Sequence, residues 1–113
     1  MAAPADRALL DPDGLFPARL AGDRAALASH ADAMEALDAE ARPRRLKDIA
    51  TLAHRLGGAA GTFGYEAISS AALALEDVIL ERRPGENRAA ASARVQQAID
   101  ALLRALDEGL AGL

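Results

Sequence analysis

The sequence predicts an all-α protein: an antiparallel up-down-up-down four-helix bundle with a short N-terminal arm or helix. Of its 113 residues, 30 are Ala and 17 are Leu, both strong helix formers, whereas Val, Ile and Thr, which favour strands, together number eight. Apolar residues also recur at helical spacing in four segments separated by short turns. The length suits a single domain over residues 1–113, with an aliphatic core because only three residues are aromatic.

The N-terminal arm and the first long helix come before the most regular part of the chain. Residues 1–12 are expected to form a loose arm or a short turn, in which Pro12, preceded by an aspartate, has the composition of a brief helix start. The bundle, about 17–110, then opens with a helix predicted over about 17–41, where apolar residues recur every seven positions. We expect this helix to end before Pro43, because the residue preceding a proline disfavours the helical conformation.

Three further helices complete the predicted bundle. The second, over about 43–62, has the cleanest apolar spacing in the chain, and the glycines at its end supply a stop. The third is predicted over about 66–82, with Arg82 and Arg83 in its last turn, where cations interact favourably with the helix dipole. A Pro-Gly turn precedes the last helix, over about 87–110. The first and third turns then lie at one end of the bundle and the second turn at the other.

Composition excludes several classes of function. A formal net charge of −4 has the wrong sign for a general nucleic-acid binder, and three aromatic residues are too few for a base-stacking platform. The absence of Cys excludes disulfides and thiol catalysis, and His30 and His54 lack the spacing of a zinc site. No apolar run is long enough to cross a membrane, and the N-terminus does not resemble a signal peptide. We expect a soluble, cytoplasmic monomer that binds no cofactor of its own.

A histidine beside three glycines is the feature that a generic helix does not explain. His54 lies about 100° around the helix from the apolar stripe. Gly57, Gly58 and Gly61 follow it at helical spacing on the same face, although each costs roughly 1 kcal/mol relative to Ala in a helix interior. Either a neighbouring helix approaches closely, or the surface stays bare so that another molecule reaches the imidazole. The second explanation is favoured, because the core-facing stripe runs along a different face.

A nucleophilic imidazole needs an acceptor on its other ring nitrogen to fix the tautomer. Glu76 is the best candidate, because antiparallel packing around the turn at Gly64 brings it to the height of His54. The alternative is an ordinary solvated glutamate. His30 has no partner pattern, and we expect it to be structural or at the surface.

These residues resemble the histidine-containing phosphotransfer (HPt) domain family of bacterial phosphorelays. The resemblance rests on Ala-His-Arg-Leu-Gly-Gly over residues 53–58, followed by Gly64 and Glu76, within the predicted bundle. It implies that His54 accepts a phosphoryl group at Nε2 from a receiver-domain aspartyl phosphate, or gives it to one, with Mg²⁺ supplied by the receiver. Glu76 matches the position that holds the imidazole, and Gly58 the glycine that leaves room for the phosphoryl group.

One position departs from the family pattern. HPt domains usually carry a lysine three residues after the histidine, near the phosphoryl group, and this chain has Gly57 there. Lys47, two turns before His54 on the same face, and Arg55 are candidates to supply the missing cation, although each is also explained as an ordinary solvated cation.

A docked receiver is expected to contact two further surfaces. The basic residues at the predicted bundle end could steer an acidic partner, or could simply be solvated. They are Arg42, Arg44, Arg45, Lys47, Arg82 and Arg83. Leu52 and Phe63 are the candidates for apolar contact beside the glycine face.

The resemblance implies a phosphocarrier without its own turnover, partnered by response-regulator receiver domains, a hybrid histidine kinase, or both. The alternative is a helical-bundle adaptor that binds a receiver or a partner helix and is never phosphorylated. An open Nε2 beside the glycines, with Glu76 within reach of Nδ1, favours the phosphocarrier. A buried His54, hydrogen-bonded within the core, favours the adaptor.

Overall fold

Four long α-helices make up most of the computed structural model, which describes residues 10–34, 38, 40–81 and 83–112. We label them in chain order: α1 Phe16–Met34, α2 Ala41–Thr62, α3 Glu66–Leu80 and α4 Arg88–Ala111. The described residues contain no strand, which confirms the all-α prediction. The main packing joins α2 to α3, α3 to α4, α4 to α1 and α1 to α2, as in an up-down-up-down bundle.

The start of α1 is fixed by a side chain that precedes it. The carboxylate of Asp11 accepts hydrogen bonds from the backbone N–H groups of Leu15 and Phe16, at 3.2 and 2.9 Å. These N–H groups have no intrahelical acceptor, so the carboxylate satisfies them as a cap does. No helix begins at Pro12, because residues 11–14 form a turn, closed by the N–H of Gly14 donating to the carbonyl oxygen of Asp11 at 3.0 Å. The rest of the predicted arm, residues 1–9, lies outside the described residues.

The predicted boundary between the first two helices is wrong. Helix α1 ends at Met34, and α2 begins at Ala41, before Pro43 rather than at it. A proline in the first turn of a helix removes only an N–H that would have no intrahelical acceptor. The carboxylate of Asp38 accepts from the backbone N–H groups of Glu40 and Ala41, at 3.1 and 2.8 Å, which starts α2 early. Residues 35–37 and 39 lie outside the described residues.

Helix α3 ends earlier than its sequence predicts. Its last residue is Leu80, and Glu81 adopts an extended backbone, in which its carboxylate lies 2.9 Å from the Arg94 guanidinium on α4. Arg83 therefore lies beyond the helix instead of in its last turn, and Arg82 is outside the described residues. The start of α4 agrees with the prediction, since the Asn87 side chain caps it by accepting from the N–H of Ala90.

The core is aliphatic along most of its length, as the composition predicts, with rings at one end. Phe16 stacks on Phe63 with 4.5 Å between ring centroids, and Tyr65 packs beside Phe16. The largest fully buried side chains are Leu20, Leu27, Ile49, Leu56, Ile68, Leu75, Ile99, Leu102 and Leu106. Among the described residues, no helix combines the length and apolarity that crossing a membrane requires.

Candidate functional site

His54 lies on the surface of α2 with its imidazole held from one side. Its side chain is 70% exposed, and Nδ1 lies 2.9 Å from Oε2 and 3.1 Å from Oε1 of Glu76 on α3. An ionised carboxylate can only accept a hydrogen bond, so Nδ1 carries the proton in this contact. The neutral imidazole then has its lone pair on Nε2, the form in which that nitrogen is a nucleophile.

The contact between His54 and Glu76 belongs to a regular antiparallel register of α2 and α3. Moving three residues forward in α2 and three back in α3 leads from this pair to Gly57 and Leu73, which are also in contact. One turn further, the hydroxyl of Ser69 donates to the carbonyl oxygen of Gly57 at 2.7 Å. The close packing of the two helices therefore extends from His54 toward the end of α2.

The three glycines have different surroundings, so the single explanation favoured from the sequence does not hold for all of them. A β-carbon on Gly58 would have no heavy atom within 4 Å, which agrees with a surface left bare. Gly57 is buried, and a β-carbon there would lie 2.7 Å from Cδ2 of Leu73. At Gly61 the nearest atom would be Oγ of Ser69, at 3.2 Å. Gly57 is thus a site of close helix approach, the explanation that the sequence disfavoured.

A groove of about 560 Å³ lies beside His54, on the side away from the glycines. Lys47 and Arg55, the two predicted cations, both border it. Neither makes an ion pair with any carboxylate in the described part of the chain, so both keep their charge available near the imidazole. Leu46, Ala50, Ile79 and Leu80 supply apolar walls.

The predicted apolar contacts are placed differently by the structure. Leu52 and Phe63 pack against the core. The exposed apolar side chains near the imidazole are instead Leu73 and Leu80 on α3, which are 41% and 66% exposed. They stand three residues before and four residues after Glu76, and this spacing places all three on one face of the helix. That spacing is a sequence signal that could have identified them.

Several basic side chains at the predicted bundle end make hydrogen bonds or ion pairs within the bundle. Arg42 donates to the hydroxyl of Ser92 at 2.7 Å, and Arg83 pairs with Glu81 at 3.0 Å. Arg94, which the sequence did not single out, makes ion pairs with both Glu81 and Glu86. Its hydrogen bond lowers the pKa of the Glu86 carboxyl below the ordinary range. Of the basic residues predicted at this end, Arg83 is therefore ion-paired, whereas the bond of Arg42 to a neutral hydroxyl leaves its charge uncompensated among the described residues.

His30 has a partner that its sequence context did not reveal. Nη1 of Arg45 lies 3.0 Å from Nδ1 of His30. A guanidinium has no acceptor, so it donates and Nδ1 of His30 accepts. This pairing joins α1 to α2, which agrees with the first of the two alternatives expected for His30, a structural or a surface residue.

Comparison with known protein families gives a match to the Hpt domain over residues 24–109. The chain belongs to the Hpt domain family. The match confirms the resemblance found in the sequence, and it covers the site as well as most of the bundle. Hpt domains are helical phosphocarrier modules that take part in phosphotransfer in two-component phosphorelays. Comparisons with curated proteins and with solved structures give no match.

The described residues of this Hpt domain form no cluster that could bind a metal ion at the site. Nowhere in the described ranges do three or more His, Asp or Glu side chains come together in a way that could hold a metal ion. The groups that the chain itself places at the site are the imidazole, the Glu76 carboxylate and the two groove cations.

Proposed function

We propose that this Hpt domain is a phosphocarrier that exchanges a phosphoryl group between His54 and the aspartates of receiver domains. The observation that supports this most directly is an imidazole that is exposed yet held at Nδ1 by Glu76. Fixing the proton on Nδ1 leaves Nε2 as the reactive nitrogen, and holding the ring on a helix reduces the entropy lost on reaching the reactive geometry. We expect the protein to act in the cytoplasm, with a receiver or a hybrid histidine kinase as its partner.

The transfer step requires no proton to leave the imidazole. The Nε2 lone pair forms the bond to phosphorus while the phosphorus–oxygen bond to the receiver aspartate breaks, and the aspartate departs as a carboxylate. The imidazole then carries a phosphoryl group on Nε2 and a proton on Nδ1, so its ring becomes positively charged. The negative charge of Glu76, 2.9 Å from Nδ1, stabilises that ring, and the return step reverses each change.

The charge on the phosphoryl oxygens needs a source of compensation, because position 57 carries no lysine in this chain. Lys47 and Arg55 border the groove beside the imidazole without carboxylate partners in the described part of the chain. We assign them this electrostatic role. We expect Mg²⁺ to be bound by the receiver during transfer, where it would neutralise further phosphoryl charge.

Receiver docking is assigned to the face that surrounds His54. The bare surface at Gly58 gives access to the imidazole, while Leu73 and Leu80 offer exposed apolar area on α3. Burial of such side chains on binding contributes affinity without adding a charge.

The decisive experiment transfers radiolabelled phosphate from a phosphorylated receiver to this protein. We expect the wild-type chain to acquire an acid-labile, base-stable label, which is typical of a phosphohistidine, and His54→Gln to acquire none. His30→Gln is the matched control and should be labelled like the wild type, since His30 is held by Arg45 on another part of the bundle. Label on His54→Gln at the wild-type level would overturn the assignment.

An adaptor that binds receivers without being phosphorylated is the second candidate. Gly57 in place of the family lysine is the observation that favours it, because the usual cation is missing from that position. If the wild-type chain binds receivers but takes no label from any receiver of the same organism, the adaptor is the correct function.

A further inference from the structure

Leu73 covers the backbone of Gly57 one helical turn away from the imidazole. The two residues face each other across the interface of α2 and α3, and Leu73 remains 41% exposed on its outer side. Among the glycines of the described helices, only Gly57 is covered by a large apolar side chain that is itself partly exposed and lies one turn from His54. Gly109 on α4 also has an apolar neighbour, which is Ile68 on α3.

The closeness of this contact leaves no room for a side chain on residue 57 unless Leu73 moves. A β-carbon there would lie 2.7 Å from Cδ2 and 2.9 Å from Cγ of Leu73. Rotation about χ2 can move Cδ2 away, but the position of Cγ depends on χ1, which has only two accessible rotamers in a helix. A residue other than glycine therefore forces Leu73 into another rotamer or pushes α3 away from α2.

Glu76 follows Leu73 on the same face of α3, just as His54 precedes Gly57 on α2. A shift of α3 at Leu73 is therefore transmitted over a single turn to the carboxylate that holds Nδ1. That hydrogen bond has a length of 2.9 Å, and a displacement of half an ångström or more would weaken it.

We propose that Leu73 is a positioning residue: by packing on the bare backbone of Gly57, it sets the helix separation at which Glu76 fixes the tautomer of His54. In this arrangement Gly57 and Leu73 are a matched pair, one residue supplying the space and the other filling it. The effect of the pair on phosphotransfer rests on the proposed phosphocarrier function, whereas its effect on the tautomer does not.

The test is a double-mutant cycle of Gly57→Ala, Leu73→Ala and the double variant, read by imidazole ¹⁵N NMR of the free protein. Those resonances show which ring nitrogen of His54 carries the proton. Each single variant is expected to lower the fraction with the proton on Nδ1, by crowding or by a void respectively. The double variant should recover it, because the new β-carbon occupies space that the shortened residue 73 leaves. Additive effects of the two single changes would overturn the proposal.

Transfer rates from a phosphorylated receiver give the second readout of the same cycle. The two single variants should transfer more slowly, and the double variant should exceed the rate expected from independent effects by at least about threefold. Leu73→Met, which conserves side-chain volume, should keep the proton on Nδ1 of His54. A cycle that moves the rate but leaves the tautomer unchanged would also overturn the proposal, since Leu73 would then act on docking.

Gly22→Ala is the matched glycine control. Gly22 lies within α1, and a β-carbon added to it would have no heavy atom within 4 Å, so neither readout should change. If the wild-type chain takes no label at all, the proposed function fails, but the NMR cycle still decides the role of Leu73. If labelling proceeds normally and the cycle is additive, the function stands and the positioning role fails.

Discussion

Two histidines in this chain are bound at the same ring nitrogen by partners of opposite charge. On α2, Nδ1 of His54 faces the carboxylate of Glu76, which accepts. On α1, Nδ1 of His30 faces the guanidinium of Arg45, which donates. The first partner keeps the proton on Nδ1 and the lone pair on Nε2, whereas the second keeps the lone pair on Nδ1 and the proton on Nε2.

The difference teaches that a histidine's chemistry depends on its neighbour as much as on its exposure. His54 presents a nucleophilic nitrogen to solvent and has two free cations beside it, in the described part of the chain. His30 is half-buried, and its lone pair is already used within the bundle. Four predictions of decreasing effect test how far this contrast extends, and the largest effect is the complete loss of label expected for His54→Gln.

Exchanging the partner of His54 should produce a very large loss of function. Glu76→Arg gives His54 the type of partner that His30 has, which moves the proton to Nε2 and removes the charge that stabilises the phosphorylated ring. We expect the transfer rate to fall by about 100-fold, the upper end for residues that orient a reactive group. Glu76→Gln, which keeps an acceptor oxygen but no charge, should lose only about 10-fold.

Circular dichroism of both Glu76 variants serves as the folding control. An unfolded Glu76→Arg chain would make the rate uninformative, and the milder Glu76→Gln would then carry the test. Transfer by a folded Glu76→Arg at the wild-type rate would show that Glu76 does not orient the imidazole.

The reciprocal exchange at His30 should change the tautomer and leave phosphotransfer unchanged. Arg45→Glu replaces the donor by an acceptor, so the ¹⁵N resonances of His30 should report a proton on Nδ1 instead of Nε2. Arg44→Glu makes the same charge change one residue earlier, at a side chain without a hydrogen bond to His30 among the described residues, and should leave the tautomer as it is. The same His30 tautomer in wild type and Arg45→Glu would contradict the assigned hydrogen bond.

The ion pairs at the bundle end should influence stability against acid and leave transfer unaffected. Hydrogen bonds to Arg94 and Arg83 hold the pKa values of Glu86 and Glu81 below the ordinary range. The folded state then binds fewer protons than the unfolded chain, so this stabilisation is present above the ordinary glutamate pKa of about 4.3 and is lost as pH falls through the lowered values.

Arg94→Gln should therefore lower the urea midpoint of unfolding at neutral pH. It should also reduce the further fall of that midpoint when the pH is lowered. The matched control is Arg104→Gln, because Arg104 is an exposed residue of the same helix without an ion pair among the described residues. An acid-induced loss as large in Arg94→Gln as in the wild type would show that these pairs contribute nothing.

Much of the fold follows from local patterns in the chain. The apolar spacing of α2 predicted a helix that ends at about residue 62, and the structure ends it at Thr62. The helical composition predicted the absence of strands, as the described residues show. The boundary at Pro43 could not be predicted, because a proline that ends one helix also suits the first turn of the next. The deciding contact came from Asp38, whose carboxylate caps α2.

Part of the candidate site also followed from local patterns in the chain. Counting residues around the turn at Gly64 was enough to bring Glu76 to His54, since antiparallel helices of known rise fix the height of their residues. Gly57 was predicted to lie on the open surface and is instead covered by Leu73. The helical period gives the direction in which a residue faces, but it does not show which side chain of the neighbouring helix lies there.

By itself, the sequence determined a helical bundle, its four helices, and the histidine and glutamate that meet on its surface. These features depend on propensity, periodicity and rise per residue, all of which are local properties of the chain. Only the tertiary structure decided that Leu73 fills the space at Gly57 and that Arg45 holds His30. Those outcomes depend on the separation and rotation of neighbouring helices, which the packing of the whole core sets.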